Sequence, residues 1–218
     1  MPDGASCMTA DFDAPQMLPA VIDQVAPDIV VNAAAYTAVD RAEEDVAAAF
    51  RANAEAPSRI AAACAARDVL LVHYSTDYVF DGMGTRPYRE DDPVDPLGVY
   101  GASKLAGELA IQASGARHLI FRTAWVYAAH GHNFLRTMLR LERERDELRV
   151  VADQVGAPTP AALIAEGTAQ ALCQPPARFG LWHLVAGGQT SWHGFAEAIF
   201  AGAQQRGLMA RVPRVVPI

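Results

Sequence analysis

The sequence predicts an α/β protein built on a mostly parallel sheet. Short apolar runs, DIVVNA (28–33) and VLLVHYS (69–75), alternate with helical stretches, the order expected when strands are joined by helical crossovers. The runs are continuously apolar, as in strands buried on both faces. A chain of 218 residues, 51% hydrophobic and 20% charged, can bury a sizeable core and has neither a disordered nor a membrane-spanning composition.

Taken in order, DIVVNA is the first strand. The Ala-rich stretch 43–68, EEDVAAAFRANAEAPSRIAAACAARD, is helical, with Pro57 opening its second half because proline suits a first helical turn. VLLVHYS is the next buried strand. Residues 81–97, DGMGTRPYREDDPVDPL, are dense in Gly, Pro and Asp and form a long surface loop, a kind that tends to carry function. A helix is expected at about 100–114, a strand in HLIFRTAWVY (118–127), and a helix in NFLRTMLRLERERD (133–146). Within and beyond it, LERERDELR reads as a solvated, charge-paired face. The pattern then loosens: LRVV, a turn at GAPTP, a helix at 161–173, LWHLV, and a helix from about 191. This change divides the chain into residues 1–147 and 148–218.

Several function classes are excluded. The net charge of -7 disfavours a nucleic-acid partner. No apolar run is long enough to span a bilayer, and MPDGASCMTADFD lacks the basic start and apolar stretch of a secretion signal. Cys7, Cys64 and Cys173 are odd in number and far apart, which suits a reducing, cytoplasmic setting. His130 and His132 form H-G-H without an evident third ligand, so no metal site is expected.

The chemistry concentrates in two segments. In VYGASKLAGE (99–108), Lys104 is the only lysine of the chain, the other 17 of its 18 Lys and Arg residues being arginine. Tyr100 lies four residues before it, on the same helical face. Six tyrosines in 218 positions would give this spacing by chance about three times in a hundred. An ammonium beside a phenol favours the phenolate and brings it toward acid–base chemistry. In YSTDYVFDG (74–82), Ser75, Thr76 and Asp77 fall at the carboxyl end of a buried strand, where open α/β sheets bind ligands. They fit equally well as the turn residues that end a strand. No glycine-rich dinucleotide turn occurs in the first fifty residues, so the chain is expected to enter the fold at about its third strand, lacking the first βαβ unit, and to stop early at VPRVVPI.

Five collinear segments, STDYVFDG, PYREDDPVDPLGVYGASKLAGE, FRTAWVY, GHNFLRTML and DQVGAPT, resemble the dTDP-4-dehydrorhamnose reductase family of extended short-chain dehydrogenases/reductases. VVNAAAYTAVDRAEEDVAAAFRANAEAP and TSWHGFAEAIF extend the resemblance over nearly the whole chain. It implies a Rossmann-like, doubly wound sheet with a small C-terminal substrate-binding part, and NADPH or NADH as cofactor. It implies Tyr100, Lys104 and Thr76 as the catalytic triad, Lys104 holding the nicotinamide ribose and lowering the tyrosine pKa. Ala34, Ala35, Tyr36, Thr37 and Tyr74, with Tyr100 and Lys104, match cofactor-side positions; Thr76, Asp77 and Trp125 match substrate-side ones. The implied partner is a dTDP-sugar, with a homodimer as the assembly open to it; the residues do not decide the cofactor preference or any role for Mg²⁺. Arg122 and Arg136 suit either a diphosphate or structural ion pairs. Two other readings stay open: a reductase or epimerase for another nucleotide sugar, and a non-catalytic reductase-like binding subunit.

Overall fold

In the computed structural model the described residues are 7–173, 179–209 and 211–218. The chain divides into two compact units that change over between Arg122 and Thr123, with a strand ending at His183 returning to the first. The strand 118–123 belongs to the first unit's sheet, and the chain leaves that unit directly afterwards.

The first unit opens with α1 (Leu18–Val25), which leads into β1 (Ile29–Asn32). Two short helices, α2 (Val39–Ala42) and α3 (Val46–Phe50), follow. A turn of wider π-type winding (Arg51–Glu55) then runs into α4 (Ala56–Ala65), which Pro57 opens as expected. Next come β2 (Leu70–Thr76), α5 (Val99–Ala113) and β3 (His118–Thr123). The returning strand, Gly180–His183, completes a sheet in which it lies outside β3, with β2 and then β1 on the other side. The pairs β1–β2 and β3 with Gly180–His183 are parallel. The alternation of strand and helix thus yields the α/β parallel sheet that it predicts.

The core of this unit is apolar residues of α1, α4, α5 and the strands, among them Leu18, Ile60, Leu71, Ile111 and Ile120. β2 is buried over most of its length, as its apolar run implies, with Leu70 and Tyr74 half-buried. β1 is not: Ile29 is 39% and Val31 47% exposed. Among the described residues it occupies the sheet edge with β2 as its one neighbour, and its apolar run looks the same in sequence as that of a central strand.

The second unit contains β4 (Val126–Tyr127), α6 (Phe134–Leu141), β5 (Glu147–Val150), β6 (Val155–Gly156), β7 (Thr159–Pro160) and α7 (Ala161–Cys173). After Gly180–His183, which is β8, come β9 (Thr190–Ser191), α8 (Trp192–Gln205) and β10 (Arg214–Pro217). α6 and α8 enclose Met138, Leu148, Phe195, Ile199 and Phe200. α6 starts at Asn133, whose side chain accepts the Arg136 N–H, and ends at Leu141, so the charged run lies mostly beyond it. The expected single strand 118–127 is broken at Trp125, whose φ of 47° is left-handed. Among the described residues no helix is long and apolar enough to cross a membrane.

Candidate active site

The candidate site of the first unit is built from the carboxyl end of β2 and the first turns of α5. Thr76 ends β2 and caps the 3₁₀ turn Asp77–Val79, its Oγ1 accepting the Tyr78 N–H at 3.2 Å. α5 begins after Gly98, with the Val99 N–H donated to Glu43 Oε1 at 2.8 Å. Two glycines allow α5 to approach its neighbours. A Cβ on Gly101 would lie 2.2 Å from the Tyr78 carbonyl oxygen, and one on Gly107 would lie 2.1 Å from that of Asn53. Both distances are far inside contact, so only glycine permits this packing.

That approach sets the Tyr100 phenol beside the Thr76 hydroxyl. The Tyr78 ring stands edge-on to Tyr100 with centroids 5.6 Å apart. Burial pushes the Tyr100 phenol up to about 12, opposed by the polar Thr76 hydroxyl beside it and reinforced by the Asp77 charge. The expected lowering by Lys104 is thus not found. Lys104, 2% exposed, directs Nζ to the Tyr74 carbonyl oxygen at 2.7 Å and lies 3.4 Å from His73 Nε2. Burial draws its ammonium down to about 8, opposed by the charge of Glu108. Asp77 is raised to about 6 by burial, against a hydrogen bond from Thr76.

The turn after β1 joins the same site. Asn53, fully buried, accepts the Tyr36 N–H at 2.8 Å and donates through Nδ2 to the Tyr36 carbonyl and to Ser103 Oγ, both at 3.0 Å. Ser103 Oγ in turn donates to the Tyr100 carbonyl at 2.8 Å. Asn53 therefore ties the segment Ala34, Ala35, Tyr36, Thr37 to the helix that carries Tyr100 and Lys104. Sequence reasoning missed Asn53: one asparagine in an Ala-rich helix carries no pattern. Tyr36 Oη and Ser75 Oγ are buried without a hydrogen-bond partner among the described residues. Buried hydroxyls are rarely left so, and two of them suit a polar ligand such as a dinucleotide.

Beneath the triad, Glu108 and Arg122 form a bidentate buried pair, Nε–Oε1 3.0 Å and Nη2–Oε2 2.7 Å. Arg122 lies 5.0 Å over the Phe80 ring, which stacks on Tyr88 of the 81–97 loop. Arg122 is thus a structural ion pair. Arg136, in the second unit, donates to the Gly131 carbonyl. Trp125 also belongs to the second unit, stacked on Trp192 with centroids 3.6 Å apart and the planes 10° from parallel. A Cβ on Gly156 would lie 2.5 Å from the Trp125 ring, so glycine makes room for that stack. His130 and His132 are exposed, and among the described residues no group of three His, Cys, Asp or Glu is placed to hold a metal ion.

A parallel α/β sheet with Thr, Tyr and Lys gathered at a strand's carboxyl end defines a short-chain dehydrogenase/reductase-like protein. A family model described as RmlD substrate binding domain matches residues 4–218. The chain is 53% identical over 218 residues to a dTDP-4-dehydrorhamnose reductase of Burkholderia thailandensis, covering 96% of this chain and 73% of that protein. It is 49% identical over 201 residues to that of Escherichia coli K12, covering 91% and 67%. A crystal structure of the reductase from Bacillus anthracis in complex with NADP superposes with a TM-score of 0.88 at 35% identity, covering 96% of this chain and 72% of that one. The chain belongs to the RmlD family of dTDP-4-dehydrorhamnose reductases.

Proposed function

We propose that the protein reduces the C4 ketone of dTDP-4-dehydro-β-L-rhamnose to dTDP-β-L-rhamnose with NADPH or NADH, supplying rhamnose for cell-surface polysaccharide. The observation that carries this reading is Tyr100 set beside Thr76 at the carboxyl end of β2, with Lys104 buried one helical turn further on. The names of the relatives support the substrate, and the NADP complex of the Bacillus anthracis enzyme supports the cofactor class.

Bound NADPH or NADH supplies the hydride. Ala34, Ala35, Tyr36 and Thr37 line its side of the site, with Tyr74, Tyr100 and Lys104, and the unpartnered Tyr36 and Ser75 hydroxyls fit such a group. Tyr100, held neutral by its raised pKa, stands ready as proton donor. An alkoxide is a far stronger base than a phenolate, so transfer from Tyr100 to the new C4 oxygen runs downhill even from a pKa near 12. Thr76, the partner of Tyr100, orients the carbonyl oxygen toward that proton. Asp77 is a sugar-side residue of the first unit, and Trp125 one of the second. We assign the cofactor and proton-donor chemistry, with Asp77, to the first unit, in a cytoplasmic enzyme to which a homodimer is open as the assembly.

The test follows oxidation of NADPH and of NADH by the purified protein with dTDP-4-dehydro-L-rhamnose. Sugar-dependent oxidation with dTDP-L-rhamnose as product is expected. No oxidation with either cofactor, or an epimerised keto-sugar as product, would overturn the proposal.

A further inference from the structure

His73 sits in the middle of the apolar run VLLVHYS and is fully buried, yet the proposed reaction gives it no role. Each of its ring nitrogens meets a nitrogen. From α5, Lys104 Nζ lies 3.4 Å from Nε2; from β1, Asn32 Nδ2 lies 3.0 Å from Nδ1. Buried polar groups this close are arranged by their protons, so the protons can be counted.

The count starts at Ala34. A backbone N–H can only donate, so the Asn32 atom 3.2 Å from the Ala34 nitrogen is Oδ1, and the atom facing His73 is the NH₂ group. An amide NH₂ can only donate, so His73 Nδ1 accepts. Burial, reinforced by the charge of Lys104, holds the imidazole well below its ordinary pKa and therefore neutral, with one N–H. That proton is on Nε2 and points at Lys104. A free amine offers a lone pair to receive it; an ammonium offers only another N–H. In either state Lys104 keeps its bond to the Tyr74 carbonyl.

We propose that Asn32 and His73 are positioning residues for Lys104: Asn32 selects the Nε2–H tautomer of His73, and His73 favours the free amine of Lys104 over its ammonium. The other groups around Lys104 are accounted for. Glu108, one turn on along α5, favours the ammonium but is engaged by Arg122 of β3. Tyr100, one turn back, is neutral and stands beside Thr76, with the Asp77 charge and the Tyr78 ring acting on it. Resting on the reductase reading, the consequence is a lysine that gives up its proton readily and so can resupply Tyr100 after each turnover.

The lone lysine makes the test direct. Protein grown with lysine labelled at Cε and Nζ gives a single ε-methylene resonance, that of Lys104, which is titrated by NMR without cofactor or substrate. Labelling histidine with ¹⁵N reports which nitrogen of His73 carries the proton, the signal being assigned by its loss in His73→Phe. Expected are an Nε2–H tautomer and a Lys104 midpoint near 8. In Asn32→Asp the carboxylate accepts the His73 Nδ1–H, the ring proton moves, and the Lys104 midpoint rises by about one pH unit or more. In the His73→Phe background the same substitution moves it by less than half as much. A wild-type Nδ1–H tautomer, or an Asn32→Asp shift as large without His73 as with it, overturns the proposal. The wild-type tautomer is read on the parent protein, the variant serving only to assign the His73 signal. Since neither readout depends on turnover, failure of the reductase assay and failure of this proposal are distinguishable.

Discussion

Glu108 and Arg122 offer the sharpest test of what holds the first unit together. Their side chains are 1% and 5% exposed and joined by two hydrogen bonds, with Arg122 also over Phe80. Replacing Glu108 by Leu leaves a buried guanidinium with no carboxylate, and removing one partner of such a pair costs about 3–5 kcal/mol. For a domain of this size that corresponds to a fall in Tm of roughly 6–20 °C. Adding Arg122→Met removes the stranded charge as well, so the double variant regains most of the loss. The assay is urea unfolding of both single variants, the double variant and the parent, followed by a probe in the first unit, with the coupling energy taken from the cycle. Glu108 also holds the Lys104 ammonium up, so in Glu108→Leu the Lys104 midpoint falls below about 8. A Glu108→Leu cost under about 1 kcal/mol, the level of an exposed pair, would refute the reasoning.

Gly107→Ala puts a Cβ 2.1 Å from the Asn53 carbonyl oxygen, and circular-dichroism melts are expected to show a loss of about 1–3 kcal/mol or more, as overpacking does. Burial raises the Asp77 carboxyl in the folded state to about 6, above the ordinary 3.8. The folded state therefore binds its proton more tightly than the unfolded one, and stability falls as pH rises from about 4 to about 6. Asp77→Asn should accordingly be more stable than the parent by about 1–3 kcal/mol at pH 8 and nearly equal to it below pH 4, read from urea midpoints at the two pH values. The thiol of Cys64 is buried and pushed up to about 11, whereas Cys7 and Cys173 are exposed. An aromatic disulfide reagent at pH 8 should therefore titrate two thiols in the native protein and the third only in denaturant.

Much of the site could be read from the sequence because its signals are local. Tyr100 and Lys104 share a helix, Thr76 and Asp77 end an apolar run, and the Gly-, Pro- and Asp-rich loop stands between them. What could not be read depends on partners far apart in the chain. His73, Asn53 and Glu108 look like stray polar residues in apolar or Ala-rich elements. Their partners Asn32, Ser103 and Arg122 lie 41, 50 and 14 residues away. The exposed face of β1 was hidden for a related reason, since apolar content does not record whether a strand has one neighbour or two. The Lys104 effect on Tyr100 is an expectation from spacing and from the family resemblance, neither of which records where Nζ points. The structure turns Nζ toward Tyr74 and His73, and burial then governs the phenol.

The central claim is that Tyr100 delivers the proton that completes ketone reduction. Tyr100→Phe removes the hydroxyl beside Thr76 and leaves the ring against Tyr78. With dTDP-4-dehydro-L-rhamnose and saturating cofactor, kcat should fall by about 10²–10⁴-fold, the usual contribution of a positioned acid. The cofactor Kd, measured by fluorescence, should change by less than about threefold, because the loss lies in the transition state rather than in binding. A kcat within a few-fold of the parent would contradict the account.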